Sequence, residues 1–172
     1  LKMIIFDKLI IDENDNEIGV EEKINAHRKG LLHRAFSIFV FNSKNELLLQ
    51  KRAADKYHSG GLWSNTCCSH PRPGENLKDA AHRRLQEEMG FDCSLREVFS
   101  FLYKKSFDNG LTEHELDHVF FGKFDGIPKI NNQEVDDYKL INFSDLRKDV
   151  KNNPSQYSFW FRLVLGKVAE KL

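Results

Sequence analysis

Apolar and polar residues fall into short runs whose periods differ along the chain. Residues 35–41 are apolar at nearly every position, the pattern of a strand buried on both faces. Asn42-Ser43-Lys44-Asn45 separates them from a second strand-like run at 46–51, and together these predict a hairpin. Residues 3–11, rich in Ile and Leu, predict an opening strand, and turn-forming residues at 12–16 end it. Between 76 and 89 the period becomes helical. Leu77, Ala80, Ala81, Arg84, Leu85 and Glu88 share one face at i, i+3, i+4, i+7, i+8 and i+11. Asn76 is placed to cap the start of that helix and Gly90 its end. Its buried-type face finishes in Arg84 and Glu88, where a helix meant only for packing would carry leucine. Residues 95–107 and 113–124 read as strands joined through Asp108-Asn109-Gly110, with Asn-Gly the strongest short hairpin signal. A short strand at 138–143 and helices at 144–150 and 155–171, the second just after Pro154, complete the pattern. This irregular order predicts an α+β fold, a mixed β-sheet sandwiched between helices, in one domain over residues 1–172.

Composition narrows the function classes. A chain of 172 residues is long enough for a proper core. Its 26 Lys and Arg balance 26 Asp and Glu, for a formal net charge of zero. That argues against a general nucleic-acid binder, but a local basic patch for one small anion can sit inside a neutral total. No apolar run approaches the roughly 20 residues that span a bilayer, and no signal-peptide pattern opens the sequence. Three cysteines, with Cys67 and Cys68 adjacent, suit no disulfide framework. A cytoplasmic, reducing location is expected, with no nucleic acid, membrane or obligatory protein partner.

Chemistry concentrates in a few places. Glu113 and Glu115 stand two apart on an expected strand, so their carboxylates share a side about 7 Å apart at the backbone. His27, His33 and His70 lie outside the expected helices. Neutral imidazoles and carboxylates are what a divalent transition metal recruits. Their spacing is not diagnostic, and taken alone they also read as a solvated strand face with scattered histidines.

Residues 69–91 carry a more specific signal. Glu75, Arg83, Leu85, Glu87, Glu88 and Gly90 match the pattern G-x5-E-x7-R-E-U-x-E-E-x-G-U, with U aliphatic, and Phe91 keeps its last position apolar. This resembles the Nudix box. Ser69 replaces the opening glycine and Arg84 replaces a glutamate. In Nudix hydrolases such helix carboxylates hold Mg²⁺ against a diphosphate, so the exchange puts hydrolysis in doubt.

Trp63-Ser64-Asn65-Thr66-Cys67-Cys68-Ser69-His70-Pro71 decides between subfamilies. It resembles the W-[ST]-N-[ST]-x-C-x-H-P segment of type I isopentenyl-diphosphate isomerases. So do residues 32–37, the pair Glu113 and Glu115, Tyr103, and Ser158-Phe159-Trp160, where Phe159 stands in place of the commoner proline. The resemblance runs from about residue 23 to residue 160. It implies an enzyme that interconverts isopentenyl and dimethylallyl diphosphate by protonation and deprotonation. It implies Cys68 and Glu115 as the proton-transfer pair, assisted by Tyr103, and Trp160 as the aromatic face toward a carbocation. A Mn²⁺ or Zn²⁺ ion is implied on His27, His33, His70, Glu113 and Glu115. Mg²⁺, arriving with the diphosphate, is implied at Glu88, and Lys23, Arg52, Lys56 and Arg84 as diphosphate ligands. Arg84 then turns a metal-ligating position into a phosphate clamp. Two other functions stay open: a Nudix hydrolase of a nucleoside or other diphosphate, indifferent to Cys68, and a silent Nudix-like binding module.

Overall fold

The computed structural model describes residues 6–56 and 58–172; the expected strand positions Met3, Ile4 and Ile5 lie outside them. Among the described residues, nine strands form one mixed sheet with four α-helices around it. β1 (Phe6–Ile11) and β2 (Glu17–Glu22) make a first hairpin. The Asp12 carboxylate accepts from Asn14 N and Asn16 N to close its turn. α1 (Lys23–Lys29) follows and has only seven residues, too few for a periodicity to announce it. Its start is held by Glu22, whose side chain accepts from Ile24 N and Asn25 N, and Gly30 ends it at φ 62°. His27 therefore rides on a helix, contrary to the sequence expectation.

β3 (His33–Phe41) is the central strand. It runs parallel to β8 (Thr112–Lys123) and antiparallel to β6 (Cys67–Ser69). Phe36, Ile38 and Val40 pack with Ala80, Ala81, Leu85 and Met89 of α2 (Leu77–Met89). Phe39 and Phe41 point the other way, into a core with Leu146 of α3 (Phe143–Asn152) and Phe161, Val164 and Leu165 of α4 (Phe159–Ala169). This is why the run has no polar alternation, and it gives the sheet helices on both faces. α2 begins at the Asn76 cap and ends at Gly90, φ 71°. A Cβ on Gly90 would stand 2.2 Å from Lys129 O, so glycine is required there both by conformation and by close approach.

Two expectations change. The turn at residues 42–45 forms, with Asn42 Oδ1 accepting from Lys44 N and Glu46 N. Yet β3 and β4 (Glu46–Arg52) pair only at Phe41 and Leu47. Beyond that point β6 occupies the edge of β3, and β4 pairs with β5 (Trp63–Ser64) and β9 (Val135–Asn142). The parted strands are the opening in which the cavity described below lies. The single helix expected at 155–171 is also broken. Pro154–Gln156 is a 3₁₀ turn and Tyr157 is extended. Ser158 N donates to Trp63 O at 2.9 Å, and Ser158 Oγ meets Ser64 Oγ at 2.9 Å. Those contacts hold the chain open, so α4 starts only at Phe159, the first helical position, where a proline is also accommodated. β7 (Leu95–Ser106) and β8 pair over their whole length across the expected Asn-Gly turn.

Candidate active site and metal centre

Strand register assembles the first half of the site. His33 on β3 lies opposite Glu115 on β8, and Glu115 lies opposite Tyr103 on β7. Neighbouring partners on adjacent strands project to the same face. Glu113, Glu115 and Asp117 alternate inward along β8 and are all buried. The Tyr103 hydroxyl lies 2.8 Å from Glu113 Oε2 and 2.7 Å from Glu115 Oε2. Burial, reinforced by those carboxylates, raises its pKa well above the ordinary tyrosine value.

The histidines are pre-oriented as ligands. His27 Nδ1 lies 2.6 Å from Lys23 O and His33 Nδ1 lies 2.9 Å from Leu31 O. A carbonyl only accepts, so both Nδ1 atoms carry the proton and both Nε2 atoms keep a lone pair. Donor atoms of His27, His33 and Glu115 lie within 4.8 Å of one another, and so do those of His27, His58 and Glu113. Neutral nitrogen and carboxylate oxygen, wholly buried, fit a divalent transition ion. His70 joins through Glu115, its Nε2 2.7 Å from Oε1. Burial, with Lys8 nearby, lowers the His70 pKa well below the ordinary value.

Cys68 and Trp160 form the second half. The two cysteines face opposite ways: Cys67 is buried in the core beneath α2, and Cys68 lines a cavity. The Cys68 thiol donates to Asn65 Oδ1 at 2.9 Å and receives Trp160 Nε1–H at 3.1 Å. Burial, with the Asp117 charge adding to it, pushes the thiol pKa up to about 12. Ser64, Asn65 and Thr66 are fully buried and stitch the segment in place. Asn65 Nδ2 donates to Ile38 O and Cys67 O, and Thr66 Oγ1 donates to Leu48 O.

The cavity is lined by Cys68, His70, Glu113, Glu115 and Trp160 together with Lys23, Arg52, Lys56, Arg84 and Glu88. His27, His33 and Tyr103 stand behind that lining. The cations crowd one another: burial, then Lys8 and Lys56, lowers the Lys23 pKa to about 8. Arg52 lies over the Trp160 ring at 5.0 Å. Arg84 contacts Glu88 and lies 2.7 Å from Glu87. Burial works against its charge, and Glu88 is the chief group that raises its pKa. Buried Nε atoms of Arg52 and Arg84 have no hydrogen-bond partner among the described residues, donors suited to an anion. Glu88 also accepts from Gln50 Nε2 at 2.9 Å.

Several site residues escaped sequence reasoning. Glu134 contacts Lys56 and lies 3.5 Å from Arg84. Lys8 is buried beside the site, and burial lowers its pKa. Asp117 accepts from Ser37 Oγ at 2.7 Å, and burial with the Glu115 charge raises its pKa well above the ordinary value. Its signal was available, because it continues the alternation of Glu113 and Glu115. His58, on the loop after β4, had no such signal.

Comparison with known proteins defines the class. The NUDIX domain family model matches residues 31–161. The DR0079 protein of Deinococcus radiodurans shares the fold with a TM-score of 0.79 at 18% identity, over 94% of this chain and 98% of that one. The protein is thus a Nudix-fold protein with an α+β architecture. Isopentenyl-diphosphate Delta-isomerase 2 of Aromatoleum aromaticum is 57% identical over 160 residues, 93% of this chain and 85% of the relative. The isopentenyl-diphosphate Delta-isomerase of Pectobacterium atrosepticum is 49% identical over 168 residues, 98% of this chain and 94% of the relative. The chain belongs to the isopentenyl-diphosphate Delta-isomerase family. No helix among the described residues is long and apolar enough to cross a membrane.

Proposed function

We propose that the protein interconverts isopentenyl diphosphate and dimethylallyl diphosphate, moving one double bond by exchange of protons. The observation that carries this is the pairing of two proton carriers, the Cys68 thiol and the Glu115 carboxylate, on the wall of one cavity. One delivers a proton to the terminal alkene carbon, and the other removes a proton from the methylene between the resulting cation and the carbon that carries the diphosphate. The roles exchange in the reverse direction.

An alkene is a very weak base, so the tertiary cation formed on protonation needs support. The Trp160 ring supplies a π face for it. The Trp160 N–H aimed at Cys68 Sγ stabilises the thiolate left when that proton departs. Tyr103, bonded to both carboxylates, relays a proton to Glu115. A Mn²⁺- or Zn²⁺-like ion on His27, His33, His70, Glu113 and Glu115 would fix Glu115 and tune its proton affinity. Glu88 provides an oxygen for the Mg²⁺ that accompanies a diphosphate, while Lys23, Arg52, Lys56 and Arg84 hold the diphosphate itself.

The test is direct: with Mg²⁺, the purified protein converts isopentenyl diphosphate to its acid-labile allylic isomer. Orthophosphate release without that isomer would make it a hydrolase instead. The cation cluster adds a pH dependence. Lys23 is charged below its pKa of about 8, and the diphosphate binds the charged form. Affinity for Mg²⁺-pyrophosphate is therefore level below pH 8 and falls above it, toward about tenfold per pH unit. Calorimetric titration from pH 6.5 to 9.5 checks this, with Lys23→Arg expected to remove the lysine's share of the fall. Equal slopes in the two proteins would remove Lys23 from the anion site.

A further inference from the structure

The ligand set implied by the family resemblance leaves one buried imidazole at the metal cluster without a role. His58 is 8% exposed, and its Nε2 stands 2.5 Å from Glu113 Oε1. We propose that His58 is a direct ligand of the same ion, completing a six-donor shell of His27, His33, His58, His70, Glu113 and Glu115. The proposal deepens the metal-dependent reading above and rests on it.

Three observations support it. First, the two groups of close donors share His27. With its Nδ1 committed to Lys23 O, His27 has a single lone pair, on Nε2. One lone pair binds one ion, so the groups containing His33 and His58 describe a single centre rather than two. Second, the spacings suit one shell. For bonds of about 2.1 Å, octahedral geometry sets neighbouring donors about 3.0 Å apart and opposite ones about 4.2 Å. The neighbouring donors stand 2.5 Å apart for His58 with Glu113, 2.7 Å for His70 with Glu115 and 3.3 Å for His33 with Glu115. Members of each group lie within 4.8 Å, which brings five of the donors close to one shell, and His70 adjoins it through Glu115.

Third, the ring is held in place. It stacks on Phe107 at 5.4 Å and meets the Trp160 ring edge-on at 5.7 Å, with Nδ1 3.3 Å from Ser59 Oγ. The loop behind it is tightly folded: Ser59 has φ 53°, and a Cβ on Gly60 would come within 2.3 Å of Ala54 O. A non-glycine residue in the left-handed region persists where its surroundings enforce it. Four imidazoles would also separate the roles of two metals. A nitrogen-rich shell favours a transition ion over Mg²⁺, which leaves Mg²⁺ to the oxygens of the diphosphate.

Proton NMR of the Co²⁺-loaded protein tests this without using activity. Each ligating histidine with a protonated Nδ1 gives one strongly shifted N–H resonance that disappears in D₂O. Wild type is expected to show four, and His58→Gln three, with Co²⁺ affinity at least tenfold weaker in chelator competition. Three such resonances in wild type would overturn the proposal while leaving the metal-dependent reading intact. So would a His58→Gln protein with an unchanged count and affinity. If His58→Gln does not fold, the wild-type count decides. Wild-type protein that takes up no ion overturns the proposal together with the reading on which it rests.

Discussion

Replacing Cys68 with alanine is expected to lower deuterium incorporation from D₂O into the isoprenoid diphosphates by about 10³–10⁴-fold, the scale of losing a positioned acid or base. Only the thiol is removed, from a residue that packs at the edge of the core rather than inside it. Asn65 keeps its bonds to Ile38 O and Cys67 O, so the segment keeps its course. Substrate binding should also survive, because Lys23, Arg52, Lys56 and Arg84 are untouched. Cys67→Ala is the matched control. Cys67 lies wholly in the core under α2, so its loss should cost stability, about 1 kcal/mol, and leave exchange near wild type. Isotope-ratio mass spectrometry of the recovered diphosphates measures both. Full exchange in Cys68→Ala would remove the thiol from the reaction.

The contrast between the cysteines shows what a sequence carries. The spacing from Cys68 to His70 matches a family segment, and alternation along a strand sends adjacent cysteines to opposite faces. Both are local facts. The helix at Asn76–Gly90 was legible for the same reason, since its caps and its apolar face are set within one segment. What escaped depends on distant contacts. β3 and β4 part because β6, from beyond a long loop, takes the edge of β3. α4 starts late because Ser158 is tied to Trp63 and Ser64. His58 reaches the cluster of histidines and glutamates through a loop whose course is set by Gly60 against Ala54. Glu134 meets Lys56 and Arg84 only after the chain has come back to the end of α2. The histidines and Glu113 with Glu115 illustrate the middle case. Their side on the strand could be read from alternation, but their convergence needed the register of β3, β8 and β7.

Glu115→Gln is expected to be the most damaging single change, because one carboxylate serves three neighbours. It accepts from Tyr103, faces His33 at 3.3 Å and His70 at 2.7 Å, and lines the cavity. Glutamine keeps the size and removes the charge. An amide is a poor base and a weak metal ligand, so proton exchange should fall by at least about 10⁴-fold, and metal retained after dialysis should fall with it. Tyr103→Phe separates these two losses. It deletes the hydroxyl bonded to Glu113 and Glu115 but no donor to the ion, so exchange should drop by about 10²-fold while metal content holds. Elemental analysis beside the exchange assay reads both variants. Glu115→Gln protein that keeps both its metal and its exchange would show that the carboxylate is neither ligand nor proton carrier. If Glu115→Gln lost exchange but kept a full complement of metal, the ion would be held by the remaining donors and Glu115 would act on the proton alone.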